Sequence, residues 1–129
     1  MCGLAGLIDF NHNSSKKILQ DCTDVLSHRG RDGNGYEFFT YDEATVGLGH
    51  RRLSVIDLAD TAAQPMHYKN WCIIFNGEIY NYLEIKKELE LSGHHFNTRS
   101  DTEVILHAWE EWGYRMTDRF IGMFVFIIF

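Results

Sequence analysis

A chain of 129 residues falls within the size of one domain, and its 45% hydrophobic and 14% aromatic content supports a core of its own, unlike a disordered sequence. With 12 basic against 18 acidic residues, a net charge of -6, there is no basic stripe to hold a phosphate backbone, which argues against nucleic acid as a partner. No run approaches the roughly 18 apolar residues of a membrane span, and no basic-then-apolar leader opens the sequence, so a cytoplasmic protein with no membrane partner is expected.

Cys2 to Phe10 alternates as a strand does, with Leu4, Gly6, Ile8 and Phe10 on one face and the small Gly3 and Ala5 on the other. Ser14 and Ser15 offer caps to a helix whose apolar face takes Ile18, Leu19, Cys22, Val25 and Leu26, which makes Cys22 a core thiol. The glycines of His28 to Gly35, HRGRDGNG, mark a loop, and a hairpin follows from Tyr36–Tyr41 and Thr45–Gly49 around Asp42 and Glu43. Arg51 to Asp57 reads equally as a strand or as an extended loop pinned by Leu53, Val55 and Ile56.

Trp71 to Phe75 is a buried strand by its β-branched and aromatic content, and it runs into Asn76-Gly77, where a tight turn is expected. Tyr82 to Ser92 is a surface helix carrying Leu83, Ile85, Leu89 and Leu91, with Gly93 as its C-terminal cap. Ser100-Asp101-Thr102-Glu103 forms a capping box ahead of Val104, Ile105, Ala108, Trp109 and Trp112, and Gly113 closes that helix. The run from Gly122 to Phe129 is almost wholly apolar and reads as a buried central strand. Such a strand calls for neighbours on both sides, so more chain is expected to follow.

Three cysteines, odd in number and widely spaced, fit free thiols better than a disulfide framework. Methionine before so small a residue as cysteine is normally trimmed, which would leave Cys2 with a free α-amine. That amine titrates near about 7.7 to 8.0 and a thiol near about 8.5, so nucleophile and base can share one residue. By itself a Met-Cys start is equally a small buried hydrophobe. Its weight comes from the blocks that follow it in order: Cys2-Gly3-x-Ala5-Gly6, Arg51-Arg52-Leu53-Ser54, Asn76-Gly77-Glu78-Ile79-Tyr80-Asn81 and Ser100-Asp101-Thr102-Glu103. The seven histidines show neither HExxH nor Cys/His ligand spacing, so no metal is expected, and His50 reads as support for the adjacent arginines.

These blocks resemble the class II glutamine amidotransferase domain of glutamine-hydrolysing asparagine synthetases over nearly the whole chain, through HRRLSVIDL, the following Gln64-Pro65-Met66, FNGEIYNYLEI, SDTEVILHAWEEWG and GMFVF. Glucosamine-phosphate synthase and the purine-biosynthetic amidotransferase share the Cys2-Gly3 start and the asparagine-glycine pair but differ in the arginine block, which selects the subfamily. The resemblance implies an α+β fold, the αββα sandwich of N-terminal-nucleophile hydrolases, as one incomplete domain over residues 1–129. It implies that Cys2 attacks the side-chain amide of glutamine, giving glutamate and ammonia through a thioester. The Asn76 side chain and the Gly77 N–H would form the oxyanion hole.

Substrate binding is implied for Arg52, which offers a planar fork to the α-carboxylate, for Leu53, Ser54, Val55 and Ile56 of the same block, for Asn76 and Gly77, and for Glu78 and Asp101 as anions for the α-ammonium. For Asp101 the competing reading is helix N-terminal charge complementarity, and for Glu78 and Arg51 a solvated surface role. No cofactor is expected in this chain; ATP and magnesium belong to the C-terminal synthetase domain, the implied partner that would use the ammonia to amidate aspartate. A homodimer is left open. Two departures stand out: Arg31 replaces the proline of the family's HRGPDG loop, which puts its stiffness in question, and Phe120-Ile121 replace leucine-asparagine before Gly122. A noncatalytic remnant or interaction module, and an amidotransferase acting on another carboxylate, are the alternative readings.

Overall fold

The computed structural model describes residues 2–53 and 63–129. Strand β1 (Gly3–Asp9) leads to helix α1 (Lys16–Asp24), which ends in a 3-10 turn, and then to the hairpin β2 (Gly33–Thr40) and β3 (Thr45–Arg52). Strands β4 (Met66–Tyr68) and β5 (Trp71–Ile79), helices α2 (Tyr82–Leu91) and α3 (Asp101–Trp112), a second 3-10 segment and β6 (Gly122–Ile128) complete it. The first three strands form an antiparallel sheet in the order β1-β3-β2 and the last three another in the order β4-β5-β6. The sheets pack face to face through Leu48, Cys72 and Ile74, flanked by Leu4 and Phe39. Helix α1 covers the outer face of the first sheet, and α3, with α2 against it, that of the second. This is the αββα sandwich that the family resemblance implies.

Three local expectations are corrected. In α1 and the 3-10 turn after it the inward positions are Leu19, Thr23 and, half-buried, Leu26, while Cys22 is exposed. Thr23 buries because its hydroxyl donates to Leu19 O at 2.7 Å, so the helix turns a satisfied hydroxyl inward where the apolar count points to a thiol. Strand β2 begins at Gly33, inside the glycine-rich loop, and β3 runs on through Arg51 and Arg52; Ser54 to Asp57 lie outside the described residues.

Asn76-Gly77 is not a turn: β5 continues to Ile79, with Asn76 opposite Val125 and Gly77 opposite Phe124. The chain reverses only at Tyr80-Asn81, where the Asn81 side chain accepts from Ile121 N at 2.8 Å and donates to Arg119 O at 2.9 Å. Strand β6 has β5 as its neighbour among the described strands. Its continuous apolarity comes from facing two layers: Phe124, Phe126 and Ile128 pack toward the helices, while Met123, Val125 and Ile127 turn to the other sheet and stay exposed.

The helical layer follows its signals more closely. Ile85 and Leu89 of α2 meet Phe75, Ile79, Val104 and Ile105 in the larger core, while Leu83 and Leu91 face solvent. Gly93, at φ +96, closes α2 with the paired bonds Gly93 N to Glu90 O at 3.1 Å and His94 N to Leu89 O at 3.0 Å, a Schellman motif. Ser100 caps α3 by accepting from Thr102 N at 3.1 Å. Glu103 does not close the capping box; it turns to the preceding loop and accepts from Asn97 N and Thr98 N at 2.8 and 2.7 Å.

Candidate active site

Cys2 is half-buried where β1 meets the end of β3. Its Sγ accepts from Leu53 N at 3.3 Å and lies 3.7 Å from Leu53 O, and its carbonyl accepts from Arg29 Nε at 3.2 Å. The loop that carries Arg29 is pressed against the same strand end, for a Cβ on Gly30 would lie 2.5 Å from the Arg51 carbonyl and 2.7 Å from Arg52 N. No side chain fits there. Asp32 N then donates to Arg52 O at 2.9 Å, tying the loop down on its other side, and Arg31 in place of the family's proline is simply exposed.

The two adjacent arginines part by strand alternation. Arg51 projects with Gly47 and Gly49 toward α1, where its guanidinium meets Asp24 at 3.1 Å; Arg52 projects with Leu48 and His50 to the face between the sheets. Asp24 also accepts from Tyr36 OH at 2.7 Å, so Arg51 belongs to a structural pair. His50 is 1% exposed, and burial, the largest influence, together with the Arg52 charge pushes its pKa down to about 4 despite the Phe75 backbone contact. It is a neutral core residue near Arg52.

On the second sheet the ladder itself explains Asn76 and Gly77. Cys72 exchanges both backbone hydrogen bonds with Phe129, and Tyr80 N donates to Ile121 O at 2.7 Å, so the even-numbered residues of β5 are the ones bonded to β6. The N–H groups of Phe75, Gly77 and Ile79 therefore point the other way, beyond the end of the short β4. Gln64 Oε1 takes Phe75 N at 2.6 Å and Asp101 Oδ2 takes Ile79 N at 3.2 Å. Between them lies the Gly77 N–H. At φ +150 a side chain on residue 77 would be driven into β6, 2.2 Å from Met123 O, which is why the position is glycine. Asn76 is half-buried on the β5 face that carries Cys72 and Ile74, turned toward the other sheet, and Glu78 follows it exposed.

Asp101 is 5% exposed in the first turn of α3. Burial raises its pKa, and the neighbouring Glu78 charge adds to this, while the N–H groups of Ile79 and Thr102 oppose it. A buried carboxylate beside a second carboxylate is a place where a small cation is stabilised.

The structure thus gathers Cys2, Arg52 and Leu53 at one strand end, and Asn76, Gly77, Glu78 and Asp101 on the facing sheet and its helix. Ser54, Val55 and Ile56 lie outside the described residues. Sequence reasoning missed two positioning residues, Arg29 at the Cys2 carbonyl and Gln64, which bridges β5 to α3 by also donating to Thr102 Oγ1 at 3.2 Å. Both stand inside quoted blocks, HRGRDG and Gln64-Pro65-Met66, and that was the available signal. The other thiols do not compete for chemistry of this kind: burial pushes Cys72 up to about 12, and Cys22 lies exposed on the outer face of α1.

Comparison with known proteins bears on the family and the fold. The model of the glutamine amidotransferase domain family matches residues 1–129. Asparagine synthetase [glutamine-hydrolyzing] 1 of Bacillus subtilis is 39% identical over 99% of this chain and 20% of its own length. Asparagine synthetase [glutamine-hydrolyzing] 2 of the same organism is 42% identical over 96% of the chain and 16% of its own length. A putative asparagine synthetase of Methanocaldococcus jannaschii is 34% identical over 100% of the chain and 28% of its length. The chain therefore spans less than a third of the length of these relatives. Among solved structures, glutamine phosphoribosylpyrophosphate amidotransferase from B. subtilis superposes with a TM-score of 0.77 at 21% identity, covering 98% of this chain and 34% of that one, a likeness of fold. By its matched family model and the identity of these relatives, the chain belongs to the glutamine amidotransferase domain family.

Proposed function

We propose that this chain hydrolyses glutamine to glutamate and ammonia, with Cys2 as nucleophile. Once Met1 is removed, the Cys2 α-amine takes the thiol proton, Sγ attacks the side-chain carbonyl carbon, and the tetrahedral oxyanion collapses to a thioester as the α-ammonium returns that proton to the amide nitrogen, which leaves as ammonia. Water then attacks the thioester, releasing glutamate and returning the thiol. While Met1 remains, that amine is held in a peptide bond and the base is missing, so the unprocessed chain is inactive. The observation that carries this reading is the Gly77 N–H, aimed past the end of β4 between two occupied neighbours, and Asn76, which precedes it on β5, is assigned as the second donor for the oxyanion. Arg52 takes the substrate α-carboxylate, Asp101 and Glu78 take its α-ammonium, and Leu53, Ser54, Val55 and Ile56 complete the pocket. Ammonia passes to a synthetase domain that makes asparagine, as the names of the relatives suggest, and the family resemblance adds ATP, magnesium and aspartate to that domain's side of the reaction.

Treatment with a glutamine-mimicking diazoketone, followed by peptide mass spectrometry, tests the assignment. Stoichiometric labelling of Cys2 on a chain whose intact mass lacks Met1 is expected. Labelling at Cys22 or Cys72 alone, or none, overturns it in favour of a noncatalytic module.

A further inference from the structure

We propose that His94, His107 and Glu110, which play no part in glutamine hydrolysis, form a zinc site that staples the loop after α2 to the outer half of α3. One ligand atom from each residue lies within 4.8 Å of the others. The two Nδ1 atoms are 2.9 Å apart, and Glu110 Oε2 is 3.9 Å from His94 Nδ1. His107 and Glu110 share a helical face at a spacing of three, and the Schellman turn at Gly93 delivers His94 to them. All three come from well-packed segments: the His107 ring is flanked by Tyr68 at 4.1 Å and Phe96 at 4.3 Å between centroids.

The outer nitrogens show what the inner ones are for. His94 Nε2 faces Glu111 Oε2 at 3.0 Å, and His107 Nε2, buried without a hydrogen bond, faces Glu103 Oε1 at 3.8 Å. The Glu111 carboxylate favours the Nε2–H tautomer of His94, the arrangement by which carboxylates orient metal-binding histidines, while Glu103 stands on the Nε2 side of His107 beyond hydrogen-bond distance. The His94 Nδ1 lone pair then faces His107 Nδ1 at 2.9 Å, where either a proton shared between the rings or a bound cation satisfies both nitrogens. Glu110 adds the third donor, held in place by Tyr68 OH on Oε2 at 2.8 Å and by Lys69 on Oε1.

Two imidazoles and a carboxylate match zinc rather than calcium or magnesium, which prefer all-oxygen shells. Metal bonds of about 2.0 to 2.2 Å in a tetrahedron separate ligand atoms by about 3.3 Å. The rings need only part by a few tenths of an ångström, whereas Glu110, with ligand atoms up to 4.8 Å apart in the cluster, must swing in by as much as about 1.5 Å, a movement open to a partly exposed side chain. The partly exposed Glu110 leaves the fourth position to water. This inference stands apart from the glutaminase reading, and its test reads metal rather than activity.

The protein, stripped with a chelator and dialysed, is titrated with zinc chloride at neutral pH. One zinc per chain is expected, with a rise in Tm, and tenfold or greater weakening in His94→Gln and in Glu110→Gln. Both substitutions are at partly exposed side chains and should leave the fold intact by circular dichroism. Cobalt substituted for zinc should give visible d–d bands without a thiolate charge-transfer band, which separates this site from Cys2 and Cys72. Absence of saturable zinc binding would mean that a proton alone occupies the space between the rings and would overturn the proposal. So would undiminished binding in both variants, or a thiolate band.

Discussion

The two sheets bear the two halves of the site and hold them by different means. On the first, Cys2 and Arg52 are placed by backbone pressed against backbone: Gly30 lies on the Arg51–Arg52 peptide, and the Cys2 sulfur takes the Leu53 N–H. On the second, Asn76, Gly77 and Asp101 are placed by side chains that stand in for a missing strand, Gln64 and Asp101 taking the N–H groups on either side of Gly77. The first arrangement tolerates no added atom, whereas the second tolerates no lost hydrogen-bonding group. The lesson is that one reaction centre can be fixed sterically on one wall and by polar satisfaction on the other.

Substitutions on each wall sharpen that contrast. The largest effect is expected for Cys2→Ala, which should reduce glutamate release to background while the far-ultraviolet circular dichroism is unchanged; retained turnover would place the nucleophile elsewhere. Asn76→Ala should lower kcat by about 10²- to 10³-fold, or about 2.7–4 kcal/mol, with a smaller change in KM, because it removes a donor that acts mainly on the developing oxyanion. A rise in KM alone would make Asn76 a binding residue. Gly30→Ala should destabilise by about 1–3 kcal/mol in urea unfolding, since its methyl group meets backbone that cannot yield. An unchanged midpoint would show that the loop is free to move away from β3.

A further effect concerns pH. In the unfolded chain His50 recovers its ordinary value of 6.5, whereas burial holds it at about 4 in the fold, so between these values the unfolded state binds the extra proton. The contribution is fully present above 6.5 and is lost as pH falls toward about 4. His50→Leu should flatten the fall of unfolding free energy over that window by up to about 1.4 kcal/mol per pH unit. An identical slope in the variant would mean that His50 keeps its proton balance on unfolding.

Much of this was legible in the sequence. Ser15 and Ser100 as caps, Gly93 and Gly113 as stops, and the hairpin of β2 and β3 follow from local chemistry, which the fold leaves unchanged. Where the reading failed, a distant partner had decided the matter. Asn76-Gly77 has the composition of a turn, but β6, almost fifty residues later in the chain, supplies the pairing that keeps it extended. Cys22 and Thr23 compete for one inward position, and the outcome rests on a hydroxyl that finds the Leu19 carbonyl. The order of the blocks pointed to the site, but not to the division of Arg51 from Arg52, which comes from strand alternation and Asp24.

The brevity of β4 has a consequence for amide exchange. Because it pairs only as far as Ile73, the amides of Phe75, Gly77 and Ile79 lie past its reach, and the first and last are claimed by Gln64 and Asp101. The Gly77 amide is then a sheet residue with the exchange behaviour of a loop, trading its hydrogen with deuterium faster than either neighbour until a bound oxyanion mimic slows it.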